Sequence, residues 1–181
     1  MKNQIVDDQK EILLKYITAK DKNIPLLMKE VFCLDSTLEM RLETQNILFP
    51  SRAVGIEDIT EVLVSAFSKS YINVFTFCFK DCIKKSNHLL NIKWLVCMVE
   101  KNSAKVRVGY GTYNWFFSNE NTNLVKHLTI QIDEMLSLDE KHTDEIYTWI
   151  NSLSYPFVES KEILKDIPNI DSFESIKTFL K

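Results

Sequence analysis

The chain has 181 residues, is 45% hydrophobic and 26% charged and carries a formal net charge of −3, a profile that excludes a disordered polypeptide and is enough for a core without staples. No apolar run approaches the roughly 20 residues that span a bilayer, and the amino terminus lacks the apolar stretch and small-residue cleavage site of a secretory signal. Only three glycines are present, so the loops that cradle nucleotide phosphates, which need several glycines close together, are excluded.

In chain order, DDQKEILLKYITA (7–19) sets Ile12, Leu13, Tyr16 and Ile17 at helical spacing behind an acidic first turn. Pro25 opens a second, short helix through Phe32. STLEMRLET alternates Leu38, Met40 and Leu42 with Glu39, Arg41 and Glu43, the pattern of a strand with one wet face. Residues 46–55, with Pro50 and Gly55, form a connector. From Gly55 to Ser70, Ile56, Ile59, Val62, Leu63, Ala66 and Phe67 fall on one helical stripe.

YINVFTFCFKDCIKK (71–85) carries both periods. Ile72, Phe75, Phe79 and Ile83 fit a helix, whereas Val74, Thr76 and the aromatics favour a strand, and a mostly helical segment is the expectation. Residues 91–117 make a β-hairpin. With its turn at Asn102-Ser103, the register sets Trp94 opposite Gly111 and Val96 opposite Gly109, so each large side chain faces a residue without one. A polar loop (118–123) and a strand (126–133) follow. Ser137 with Glu140 caps a helix through about Leu153, and Asp171 with Glu174 caps a terminal one. The expected fold class is α+β: an antiparallel sheet of about four strands around the central hairpin, packed with several helices, in one domain over residues 1–181.

Few residues offer chemistry. Cys33, Cys78, Cys82 and Cys97 lie in a chain with no export signal, so a cytoplasmic location and reduced thiols are expected. Cys78, Cys82, His88 and Cys97 lack the paired knuckles of a structural zinc site, and core thiols are the better reading, with no metal or cofactor expected. No Gly-x-Ser-x-Gly elbow accompanies the three histidines, so no catalytic residue is assigned. Lysines between Lys69 and Arg107 form a basic stretch with interleaved aromatics, but the net charge and the absence of a recognisable motif speak against nucleic acid. From residue 131 onward eleven acids face five lysines, so the carboxyl-terminal third is the acidic part.

Two functions follow. Richness in Ile, Asn, Lys and Phe is the mark of AT-rich coding DNA, as in many bacteria. With the acidic end and the missing catalytic motifs, it favours a non-enzymatic inhibitor. Such a protein, of the kind of a bacterial immunity protein or antitoxin, would occlude a basic toxin, possibly a nuclease. Asp139, Glu140, Asp144 and Glu145 would meet its cations, and Tyr147 or Trp149 would anchor it. The alternative is a small-molecule-binding protein or enzyme with a site on the sheet around Arg107, Tyr113 and His127.

Overall fold

The computed structural model describes residues 7–119 and 123–181. The first residues of the amino terminus and part of the polar loop expected at 118–123 lie outside the described residues. Helix α1 (Asp7–Asp21) is followed by a 3-10 turn (Pro25–Glu30) where a short helix was expected, by β1 (Phe32–Leu42) and by the short edge strand β2 (Arg52–Val54). The next helical stretch is α2 (Ile56–Thr60), a π turn (Glu61–Ser65) and α3 (Ala66–Ser70), leading into β3 (Tyr71–Ser86), β4 (Leu89–Glu100), β5 (Val106–Phe117) and β6 (Val125–Leu138). The chain ends with α4 (Thr143–Asn151), β7 (Phe157–Val158), α5 (Ser160–Lys165) and α6 (Glu174–Leu180).

The sheet corrects the four-stranded antiparallel expectation. It has seven strands in the order β2-β1-β6-β5-β4-β3-β7. It is mixed, because β1 runs parallel to β6 and β7 parallel to β3, with every other pairing antiparallel. Residues 71–86 are strand, not helix. Val74 and Cys78 pack on one face of the sheet and Phe77 and Phe79 on the other. With both faces covered, the alternation of polar and apolar residues that marks a strand disappears, and the spacing of Ile72, Phe75, Phe79 and Ile83 imitates a helix. Ser137 does not cap a helix, because β6 continues through Leu138. Asp139 caps the following 3-10 turn instead, accepting from the Lys141 amide at 3.1 Å.

Each face of the sheet carries a core layer. On one side α1, the 3-10 turn and the α2–α3 stretch cover Trp94, Val96, Met98, Tyr113, Trp115, Ile130 and Ile132. On the other, α4, α5 and α6 cover Phe77, Phe79, Leu95, Cys97, Val108 and Tyr110. β1, β3 and β6 depart from regular register: β1 between Phe32 and Thr37, β3 between Ile72 and Phe75 and again between Cys78 and Ile83. In β6, Tyr110 pairs with Glu134 but Gly111 with Ile132, so Asp133 is bulged out. Such bulges bend and twist the strands that carry them, here around α1.

The β4–β5 pairing places Trp94 opposite Gly111 and Val96 opposite Gly109, the register the sequence predicts. A Cβ on Gly111 would stand 2.0 Å from the Gln131 carbonyl oxygen and 3.1 Å from the Trp94 ring. One on Gly109 would meet the Met135 side chain, its Cε at 2.3 Å. A methionine can swing aside and a sheet backbone cannot, so the two glycines differ in consequence. Gly111→Ala is expected to cost ~3 kcal/mol and Gly109→Ala ~1 kcal/mol, the two ends of the overpacking range. Denaturant midpoints at unchanged m-value will read the difference.

Candidate ligand cavity

Between α1 and the sheet, the first core layer leaves a cavity of about 40 Å³ walled by Tyr16, Lys20, Trp94, Tyr113, Phe67 and three methionines, Met40, Met98 and Met135. That is room for two or three waters, at about 10–15 Å³ each. Among the described residues, Lys20 is the one charged group in its wall.

Lys20 ends up inside because α1 presents it on the face that docks against β3. Its side chain is 8% exposed and that of Asp21 is 2% exposed. Lys20 Nζ donates to Asp21 Oδ1 at 2.8 Å and to Thr76 Oγ1 at 2.6 Å, and stands 5.0 Å from the centre of the Phe67 ring. Asp21 also accepts from the Thr76 hydroxyl at 2.7 Å on Oδ1, and from the Thr76 amide at 2.6 Å and Tyr155 Oη at 2.9 Å on Oδ2. Four donors on two oxygens use the whole accepting capacity of a carboxylate. Asp21 is therefore a counter-ion, not a base with a free lone pair, and Lys20 is the residue of this network that lines the cavity.

Aromatic rings form the opposite wall. Trp94 stacks on Tyr113 at 5.3 Å, and Tyr16 meets Tyr113 and Trp115 edge-on at 5.8 and 5.0 Å. The Tyr16 and Tyr113 hydroxyls lie within hydrogen-bonding reach of each other, and burial pushes both phenols well above their usual range, so both stay protonated donors. Trp94 Nε1 is buried without a hydrogen-bond partner, in a wall where a ligand acceptor would satisfy it.

A strap, residues 44–50, roofs the cavity. Ile47 and Phe49 line it, while Leu48 between them is 89% exposed. Thr44 Oγ1 donates to Glu134 Oε1 at 3.0 Å at one end, and Met40 N to the Ser51 carbonyl at 2.9 Å at the other.

The residues picked from the sequence are scattered by this arrangement. Arg107 and Tyr113 share the cavity face, but His127 is on the opposite one. Its Nδ1 is 2.6 Å from Thr37 Oγ1 and its Nε2 is 3.0 Å from Thr129 Oγ1, and burial holds its pKa below the usual histidine value. Tyr110 also points away, against Phe179 at 4.6 Å. Of the acidic segment, Asp139, Glu140, Asp144 and Glu145 are exposed, with Glu145 3.6 Å from His142. The proposed anchors are engaged within the fold: Trp149 is buried and donates to the Ile163 carbonyl at 3.2 Å, and Tyr147 donates to the Asn73 carbonyl at 2.6 Å. Cys78 and Cys97 lie in different core layers, and among the described residues no three metal-ligating side chains converge. Lys20 and Asp21 escaped notice because a lysine and an aspartate at a helix end look like solvated charge.

The architecture is the nuclear transport factor 2-like, or ketosteroid isomerase-like, fold. Solved structures that share it include a hexachlorocyclohexane dehydrochlorinase, LinA type 2, at TM-score 0.58 and 9% identity, the match covering 73% of this chain and 87% of that one. A protein provisionally assigned as a scytalone dehydratase from Novosphingobium aromaticivorans matches at TM-score 0.55 and 13% identity, over 73% and 86% of the two chains. An NTF2-like protein from Salmonella enterica matches at 0.53 and 14%, over 73% and 91%. No family model and no curated sequence matches the chain. These neighbours overturn the expectation of an immunity protein or antitoxin, which rested on the exclusion of other classes: the named enzymes among them act on small molecules. Among the described residues, no helix is long and apolar enough to cross a membrane.

Two outcomes follow from this geometry. Asp21→Ala strips Lys20 and Thr76 of their acceptor and is expected to destabilise the fold by ~3–5 kcal/mol, the usual cost of breaking a buried pair, read by thermal or denaturant unfolding. Burial pushes the Cys78 and Cys97 thiols up, whereas Cys33 and Cys82 are partly exposed. A disulfide thiol reagent at pH 8 should therefore react with Cys33 and Cys82 in the native protein, and with Cys78 and Cys97 only after denaturant is added.

Proposed function

We propose that the protein binds a small, largely apolar molecule in the cavity between α1 and the sheet, with Lys20 and Trp94 donating to an oxygen of the ligand. The observation that carries this reading is a buried ammonium in the wall of an otherwise apolar cavity. Burying a charge is costly unless it is paired, and Lys20 is paired by a carboxylate that its other donors have saturated, so the ammonium is fixed in place and aimed. A fixed donor in a dry site polarises a carbonyl and stabilises charge that develops on its oxygen. The small-molecule chemistry named for the dehydrochlorinase and the scytalone dehydratase supports the same use of this fold.

At about 40 Å³ the cavity as it stands is too small for such a ligand. Three methionines adapt their shape readily to an incoming group, and the strap is held to the sheet by few bonds, so entry requires the strap to lift and the methionines to repack. Nothing in the wall acts as a general base, since Asp21 is saturated and the phenols are held protonated. Proton transfer to a ligand would pass through Lys20 Nζ, with the Thr76 hydroxyl and Asp21 behind it.

Small apolar carbonyl compounds screened against the 15N-labelled chain should shift the indole N–H of Trp94. Val96→Phe, which fills the cavity from β4, should weaken their binding at least about tenfold, the effect of losing ~1.4 kcal/mol, while the folded spectrum persists. Lys20→Met should weaken carbonyl ligands and leave a pure hydrocarbon of the same shape unaffected. Binding that survives Val96→Phe would remove this reading.

A further inference from the structure

We propose that Arg107 anchors the carboxylate of an apolar acid bound in this cavity, taken up as the strap of residues 44–50 lifts and the Asn46 carbonyl gives way to the ligand. This deepens the reading above and rests on it.

Arg107 is 7% exposed. Its Nη2 donates to the Asn46 carbonyl, and its Nε is buried with no partner. The ion pairs among the described residues do not include it. A guanidinium keeps its charge under all ordinary conditions and is rarely buried without an acid beside it. Here one neutral carbonyl stands where a carboxylate would satisfy both Nε and an Nη in the two-pronged geometry that guanidinium favours.

The position joins this charge to the cavity. Arg107 lies on the cavity face of β5, two residues before Gly109, and pairs across the strands with Met98 and Ser137. Met98 lines the cavity, as does Met135, which fills the space above Gly109. Asn46, whose carbonyl Arg107 holds, precedes Ile47, also a lining residue. Arg107 is not itself in the cavity wall, but it stands next to lining residues in the register of β4 and, through Asn46, along the strap. The bond to Asn46 is the latch that closes the roof, and a ligand carboxylate competes for the same donor. A monoanion with an apolar body fits best, since the neighbouring cationic group, Lys20, is already neutralised by Asp21.

The test is a matched pair of probes of the same shape, cyclohexanecarboxylate and cyclohexanecarboxamide, titrated into the 15N-labelled full chain near pH 7 while the Trp94 indole resonance is followed. The wild type is expected to bind the acid at least about tenfold more tightly than the amide, as a charge-assisted hydrogen-bonded pair requires. Arg107→Met should abolish the preference, so that acid and amide bind alike in the variant, and leave the thermal midpoint unchanged or raised, since it removes an uncompensated buried charge. Arg107→Lys, which keeps the charge and loses the fork, should retain part of the preference. Equal binding of acid and amide by the wild type overturns the anchor while leaving the cavity as the binding site, and so does a preference that persists in either variant at full strength. If neither probe moves Trp94 in the wild type, the cavity reading falls and takes the anchor with it. The wild-type comparison needs no variant to fold.

Discussion

The Gln131 carbonyl of β6 approaches Gly111 of β5 so closely that no β-carbon fits between them. Around that contact the sheet acquires its shape. The bulge at Asp133 sits beside it, and the strand bends where the extra residue is accommodated. The bare face of Gly111 then takes the indole of Trp94, which stacks on Tyr113, and Tyr113 meets Tyr16 of α1 edge-on. The helix is thus held against the sheet through rings that owe their seat to a missing side chain. Where the rings stop, the methionines and the strap begin, and the remaining space is the cavity.

Two cations share this layer under opposite conditions. Lys20 has a carboxylate partner that is itself saturated by the Thr76 amide, the Thr76 hydroxyl and Tyr155. Arg107 has a backbone carbonyl. A fold selected for stability alone has no need of a buried guanidinium in that position, because an apolar side chain of similar volume would cost nothing in desolvation. The same asymmetry separates their uses: a neutralised donor orients an uncharged oxygen, and an uncompensated one attracts an anion.

The sequence made the hairpin legible down to its register, because turn chemistry and two glycines opposite Trp94 and Val96 are local signals. It also gave α1 and the helical stretch of residues 56–70, where a single apolar stripe survives. The strand at 71–86 was obscured by its own burial, since apolar residues on both faces erase the period-2 pattern. The pairing of β1 beside β6, and of β7 beside β3, has no local signature at all. Within the site, Arg107 and Tyr113 were visible as unusual residues on an apolar face. His127 was grouped with them although it points to the other side, because adjacent strands on a sheet give no sign of which face meets which helix. Lys20, Asp21 and Thr76 become a unit only when α1 docks on β3, fifty-five residues away for Asp21 and Thr76.

The uneven charge of the chain, which invited an external basic partner, is partly resolved inside the fold. Lys80 of the basic stretch lies 3.8 Å from both Glu159 and Glu162 of the acidic third. Asp81 accepts from the Ser160 amide at the start of α5, and Lys93 donates to the Phe179 carbonyl with its ammonium 4.6 Å from the centre of that ring. The carboxyl-terminal segment thus folds back on the very strands whose charge it opposes, and Asp139 serves as a cap. Exposed pairs of this kind contribute little energy each, but they dispose of the argument that two faces of opposite sign must both look outward. Arg107, a cation of the same stretch, is instead buried on the other face of the sheet beside the cavity, with the Asn46 carbonyl as its partner.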